Sequence, residues 1–316
     1  MKFEIDAISQ RDAFGNALLR VARKNDRVVA ISADTEKSMG FAPMAKEFPE
    51  RVVNVGIGEQ NMALAAAGAA SCGAKAFCAT YAPFASMRIL EQVRTFIAYP
   101  GLDVKVVSGL AGMSGGVEGV THQGLEDIGI MRSIPGMVVV VPADAASTEV
   151  VTEKIAEYVG PVYLRIGRTP VDKVFGDDYK FEIGKANVLR PEGKDAAVIV
   201  NGPVVGRSLI AADMLKDKGY SVQVIEMPCV KPIDADAIVA AAKATGFVVT
   251  IEENNIMAGL GGAVAEVLGE QCPTRMKRIG IRDEYTESAT HFELLDVFGF
   301  KPEDMASVIE EGIKSK

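Results

Sequence analysis

Three stretches of this 316-residue chain hold residue types at spacings that could do chemistry. Gly56-Ile57-Gly58-Glu59-Gln60-Asn61-Met62 sets a carboxylate between a glycine turn and a nearly all-apolar stretch, residues 63–70. A helix apolar on all sides brings its first turn inward. Glu59 is then either an acid working in dry surroundings or a carboxylate that caps the helix. The loop Ser114-Gly115-Gly116-Val117-Glu118-Gly119-Val120-Thr121-His122-Gln123-Gly124 carries one of only two histidines. Its glycines make it mobile or tightly turned, and His122 is either a ligand contact or a solvated side chain. Arg165-Ile166-Gly167-Arg168-Thr169-Pro170 ends an apolar run with two guanidinium groups. Such forks match phosphate oxygens, or they form surface ion pairs.

These stretches need elements to position them. Runs rich in Val and Ile lie at 27–32, 51–55, 74–78, 104–107, 137–141 and 161–166, separated by helical stretches such as 60–70 and 84–98. Alternation of this kind predicts βαβ units and a mostly parallel sheet, with ligands at the carboxyl ends of the strands. A second α/β pattern starts at residue 195, with strands at 195–200, 221–225 and 247–251 and helices at 203–218 and 234–245. The fold class is therefore α/β in two domains, 1–170 and 195–316, with a wrapping linker at 171–194 marked by Pro170, Gly176-Asp177-Asp178 and Gly184. Gly259-Leu260-Gly261-Gly262 echoes a dinucleotide loop without its full spacing and reads as close helix–sheet packing. No GxxxxGK[ST] or GxSxG motif occurs, which removes the P-loop nucleotidase and α/β-hydrolase classes.

Composition narrows the classes further. The net charge of −8 argues against a general affinity for nucleic acid or anionic membranes. Two histidines exclude a histidine-rich metal site, and the four cysteines, Cys72, Cys78, Cys229 and Cys272, have no metal-ligand spacing. They read as buried free thiols of a protein in a reducing cytoplasm. The opening Met1-Lys2-Phe3-Glu4 gives no sign of a signal peptide, and no run approaches the ~20 apolar residues of a membrane span.

Gly58-Glu59-Gln60-Asn61-Met62, taken with Thr121-His122-Gln123, resembles the transketolase family, and specifically the C-terminal section of a transketolase encoded as a separate subunit. Residues 1–170 resemble the family's pyrimidine-binding domain and 195–316 its C-terminal domain. Glu226-Met227-Pro228-Cys229-Val230-Lys231-Pro232, Glu252-Glu253-Asn254-Asn255 and Glu287-Ser288 near His291 carry the second half of the likeness.

The resemblance implies thiamine diphosphate as cofactor. Its diphosphate is held through Mg²⁺ or another divalent metal, by a GDG motif that this chain lacks. The chain then supplies half a cofactor site and no metal ligands, and an N-terminal transketolase subunit supplies the rest. A heterotetramer, or a homodimer of this chain, is the implied assembly. Glu59 would hold a pyrimidine nitrogen through its acid hydrogen, so that the cofactor can activate its own thiazolium carbon. Glu59 and His122 are the implied catalytic groups. Asp34, Tyr81 and Phe84 join Glu59 as cofactor contacts. Arg11, Ser38, His122 and Arg168 match the family's sugar-phosphate contacts, and Glu118 stands where an Asp usually reads sugar hydroxyls.

The implied reaction moves a two-carbon ketol unit between sugar phosphates. Related activities on pyruvate form the alternative, as in deoxyxylulose-phosphate synthases or the β subunit of 2-oxo acid dehydrogenases. A non-catalytic stabilising subunit is the other. A family histidine just after the fourth strand is missing, with Val107-Ser108-Gly109 in its place.

Overall fold

The computed structural model describes residues 2–316. Both halves are α/β with mostly parallel sheets, as the alternation of apolar runs predicts. The first sheet uses β1 (Val28–Ser32), β2 (Val52–Asn54), β3 (Lys75–Tyr81), β4 (Val104–Gly109), β5 (Val138–Val140) and β6 (Val162–Arg165). The second uses β7 (Asn187–Arg190), β8 (Ala196–Val200), β9 (Val222–Glu226), β11 (Phe247–Asn255) and β12 (Arg275–Ile281). The short β10 (Cys229–Lys231) leaves the second half of the sequence and pairs antiparallel with β5, giving the order β10-β5-β6-β4-β3-β1-β2. In the second sheet the order is β12-β11-β8-β9-β7, and β7 is its antiparallel edge.

Strands of Val, Ile and Ala bury both faces under helices, the normal condition of a parallel sheet. On one face of the first sheet, Phe14 and Leu18 of the helix Gln10–Lys24 and Val151 and Ile155 of Ala145–Glu157 cover Phe77 and Val107. On the other, Met62, Ala63 and Ala66 of Glu59–Ser71 pack on Ile31, Cys78 and Val106. That helix is not enclosed on all sides: Gln60, Asn61, Leu64 and Gly68 are exposed.

The segment 171–194 is packed rather than loose. It contains β7, buries Tyr179 and Phe181, and is pinned at Val174 and Phe175, whose N–H groups donate to Asp144 Oδ2 at 2.9 and 2.7 Å. Tyr179 in turn donates to Glu226 on β9.

Residues 84–98 are helical in direction but not regular. Wide π turns over Phe84–Arg88 and Val93–Ala98 flank one short α turn, Leu90–Gln92. The thiols are free, but only Cys78 and Cys229 are buried, with burial pushing each thiol up to about 12. Cys72, at the end of the helix Glu59–Ser71, is exposed, which corrects the expectation of four buried thiols. No helix among the described residues is long and apolar enough to cross a membrane.

Candidate active site

Glu59 starts the helix Glu59–Ser71 directly after β2 and its glycine turn, and its side chain is 7% exposed. Oε1 accepts a hydrogen bond from Arg88 Nη1 at 2.6 Å. The Arg88 guanidinium also lies over the Phe84 ring, 3.9 Å from its centroid. Phe84 meets the ring of Tyr81 at 5.8 Å and that of His122 at 5.6 Å, and Tyr81 meets His122 at 5.4 Å. A carboxylate, three aromatic rings and a cation are thus joined in one chain of contacts at the carboxyl ends of β2, β3 and β4.

Tyr81, the last residue of β3, donates its phenol to Ser38 Oγ at 3.1 Å, and Ser38 donates to Thr35 O. The turn carrying Ser38 sits against the helix Gln10–Lys24 because Gly15 has no side chain; a Cβ there would lie 2.2 Å from Gly40 O. Asp34, Glu36, Lys37, Ser38, Asn54 and Tyr81 line an open depression of about 450 Å³. Asp34 has φ +61°, a left-handed conformation that Asp and Asn tolerate better than most residues. Asn54 Oδ1 holds it by accepting the backbone N–H groups of Asp34 and Gly56.

Arg168 and Glu118 form an ion pair with each other. Arg11 bonds Asp12, its neighbour in the first turn of the helix Gln10–Lys24. Buried Gln10, which precedes Arg11, ties its segment to the one that carries Arg168. Its amide nitrogen donates to Pro142 O, and its oxygen accepts the Gly167 N–H at 2.7 Å. Gln10 was not singled out in the sequence. At Gly109, in the Val107-Ser108-Gly109 stretch where a family histidine was expected, a Cβ would lie 2.6 Å from Met39 Sδ, so a side chain there requires the end of Met39 to move.

The loop bearing His122 and Glu118 is fixed by the second domain. Gly112 has φ +62°, and a Cβ there would lie 2.4 Å from Glu253 Oε1. That same oxygen accepts the Met113 N–H and lies 3.0 Å from His291 Nε2. His291 Nδ1 in turn lies 2.8 Å from Thr169 Oγ1. Gln123 donates to Glu287 O across the domains. The loop is therefore tightly turned and packed, with an exposed tip at Val117 and Glu118.

Two sequence features have structural uses instead. Arg165 is 3% exposed and faces inward, onto Asp127 rather than toward a substrate phosphate. Its Nε donates to Asp127 and its Nη2 to Gly124 O and Glu253 O. Tyr163 donates to the same Asp127, and burial together with that charge pushes its phenol well above 10.0. The Gly259 loop is closed to phosphate. Buried Glu252 already takes the helix N-terminus, accepting the Leu260 and Gly261 N–H groups at 2.7 and 2.8 Å, and burial pushes it up to about 7. A Cβ at Gly259 would lie 2.0 Å from Glu252 Oε2, which accounts for the glycine without a nucleotide.

Sequence reasoning also missed Arg88. Its signal was available, since Arg88 lies four residues after Phe84 in a stretch read as helical, and such pairs share a face. Among the described residues no group of three or more His, Cys, Asp or Glu is placed to hold a metal ion.

Residues 6–173 match the family model described as the transketolase pyrimidine binding domain, and 184–305 match that of the transketolase C-terminal domain. A putative transketolase C-terminal section from Methanocaldococcus jannaschii is 41% identical over 97% of this chain and 96% of its own length. A 6-deoxy-6-sulfo-D-fructose transketolase subunit from Clostridium sp. strain MSTE9 is 37% identical over 97% of this chain and 95% of its own. A solved structure described as a split gene transketolase, inactive beta4 tetramer, superposes with TM-score 0.91 at 41% identity, covering 98% of this chain and 99% of that one.

Proposed function

Because this chain belongs to the transketolase family, as the C-terminal section of a split enzyme, we propose that it moves two-carbon ketol units between sugar phosphates once a separate N-terminal subunit completes its cofactor site. The observation that carries this reading is one cluster of side chains. Glu59 is joined through Arg88 to the Phe84 ring, which meets the Tyr81 and His122 rings, at the carboxyl end of the first sheet. The solved relative described as an inactive β4 tetramer supports a need for a second kind of subunit.

The residues fit the pyrimidine part of thiamine diphosphate. A flat, nitrogen-bearing ring asks for aromatic walls and one carboxyl group, and Phe84, Tyr81 and Glu59 supply those types at the carboxyl end of one sheet. When bound, that cofactor supplies the nucleophilic carbon that cleaves and forms the bond beside a carbonyl. Glu59 holds a ring nitrogen through its acid hydrogen. Phe84 and Tyr81 position the ring and exclude water, and Asp34 lines a depression that Tyr81 also borders. His122 faces both rings and meets the substrate side. Arg11, Ser38 and Arg168 neutralise and bind a phosphate dianion, and Glu118 reads a sugar hydroxyl. Substrate must draw Arg168 from Glu118 and turn the Ser38 hydroxyl from Thr35 O.

The test is Glu59→Gln in the reconstituted pair of subunits, assayed with xylulose 5-phosphate and an aldose phosphate acceptor, and with pyruvate. A folded variant with turnover reduced about 10²–10⁴-fold, the usual range for a lost acid–base group, is the expected outcome. Full ketol transfer by the variant would end the assignment. Activity of the unmodified pair on pyruvate alone would move the chain to the other substrate class.

A further inference from the structure

We propose that Arg88 is a built-in plug: its guanidinium occupies the slot between Phe84 and Glu59 that the cofactor's pyrimidine ring must enter, and it leaves when cofactor loads. The inference rests on the reading of Glu59 and Phe84 as cofactor contacts and concerns the regulation of that same site.

The geometry is that of a stand-in. One guanidinium lies over the Phe84 ring at 3.9 Å from the centroid while donating to Glu59 Oε1 at 2.6 Å. A guanidinium is planar, carries N–H donors in its plane and stacks on aromatic faces. An aminopyrimidine is likewise planar, with ring nitrogen and amino group at its edge. Both groups ask for an aromatic face and a carboxyl at its rim. The guanidinium covers the Phe84 face and takes the Glu59 oxygen at its rim, so a ring stacking on that face must displace it.

Arg88 can also leave. Its side chain is 47% exposed where Glu59 is 7% exposed, so the cation stands at the mouth and the carboxyl at the floor. It closes a wide π turn, Phe84–Arg88, and the next residue, Ile89, departs from helical dihedrals at φ −107°, ψ 16°. Turns of this kind recur at functional sites. No other carboxylate bond to Arg88 occurs among the described residues, so Glu59 and Phe84 are what hold it in place. The plug keeps a buried acid paired in the free chain, where an unpaired charge would be costly. It also scales the apparent cofactor affinity down to the fraction of time the slot is open.

The test compares unmodified chain, Arg88→Met, Arg88→Lys and Phe84→Ala. Each full-length chain is titrated with the pyrimidine half of the cofactor, 4-amino-5-hydroxymethyl-2-methylpyrimidine. Each partner-complemented enzyme is then titrated calorimetrically with thiamine diphosphate and Mg²⁺, and association rates are read by stopped flow. A slot closed nine-tenths of the time gives about tenfold tighter binding and faster association for Arg88→Met. Arg88→Lys, which keeps the charge but not the plane, falls between it and the unmodified chain. Unchanged or weaker binding by both Arg88 variants would overturn the plug. If Phe84→Ala still weakened cofactor binding, the site itself would stand. If Phe84→Ala and both Arg88 variants all left binding unchanged, the site assignment would fall with the plug.

Discussion

Asp127 and Arg165 form an enclosed ion pair, Nε to Oδ2 at 2.9 Å with both side chains at 3% exposure or less, where the two domains meet. Arg165 also reaches Gly124 O at the end of the His122 loop and Glu253 O on β11. Removing one member of such a pair leaves a buried charge with no counter-ion, which costs about 3–5 kcal/mol. Asp127→Ala is expected to lower stability by that amount in urea unfolding. A change under about 1 kcal/mol would mean that the backbone carbonyls alone satisfy Arg165.

Arg11 and Arg168 lie on either side of the Gln10–Gly167 bond and are assigned to the substrate phosphate. A charge-assisted hydrogen bond contributes roughly 1.5–3 kcal/mol. Arg11→Ala and Arg168→Ala are therefore expected to raise KM for a phosphorylated acceptor about tenfold or more, with a smaller change in kcat. The measurement is steady-state kinetics against phosphorylated and unphosphorylated aldoses. An unchanged KM in both variants would remove the phosphate site.

Glu226 gives the protein a pH dependence that is independent of catalysis. Burial pushes its carboxyl from 4.5 up to about 8, against hydrogen bonds from Asn187 and Tyr179. Between those values the unfolded chain has lost the proton and the folded chain still binds it. Its contribution to stability is fully present below about 4.5 and is lost as pH rises through about 8. The slope is about 1.4 kcal/mol per pH unit at most. Glu226→Gln is expected to flatten the decline in unfolding free energy between pH 5 and 8. An equally steep decline in the variant would assign it to other groups, buried Glu252 first among them.

How far the sequence could be read depended on whether a feature was local. β1, β3, β4 and β6 follow from runs of Val, Ile and Ala, because strands buried on both faces need continuous apolar sequence. β12, Arg-Met-Lys-Arg-Ile-Gly-Ile, lies at a sheet edge and carries charge, so its pattern is weak. β10 is three residues long and joins a sheet formed some 90 residues earlier, a pairing no local pattern encodes. Glu59 and His122 became candidates because they follow strand ends, where parallel sheets place their ligand groups, whereas Tyr81 and Phe84 became candidates only through the family resemblance. Arg165 stands at a strand end too, but its partner Asp127 is 38 residues away and its burial comes from the second domain. Arg88 was legible only through its four-residue spacing from Phe84, and the pairing with Glu59, 29 residues away, is not encoded locally.

The central claim is that this chain holds half of a shared cofactor site. Calorimetric titration of thiamine diphosphate with Mg²⁺, into this chain alone and into its mixture with an N-terminal transketolase subunit, tests it most directly. Weak or absent binding to the chain alone with tight, saturable binding in the mixture is the predicted result. Equally tight binding to the chain alone would contradict it, because the diphosphate and its metal would then have a site within these 316 residues.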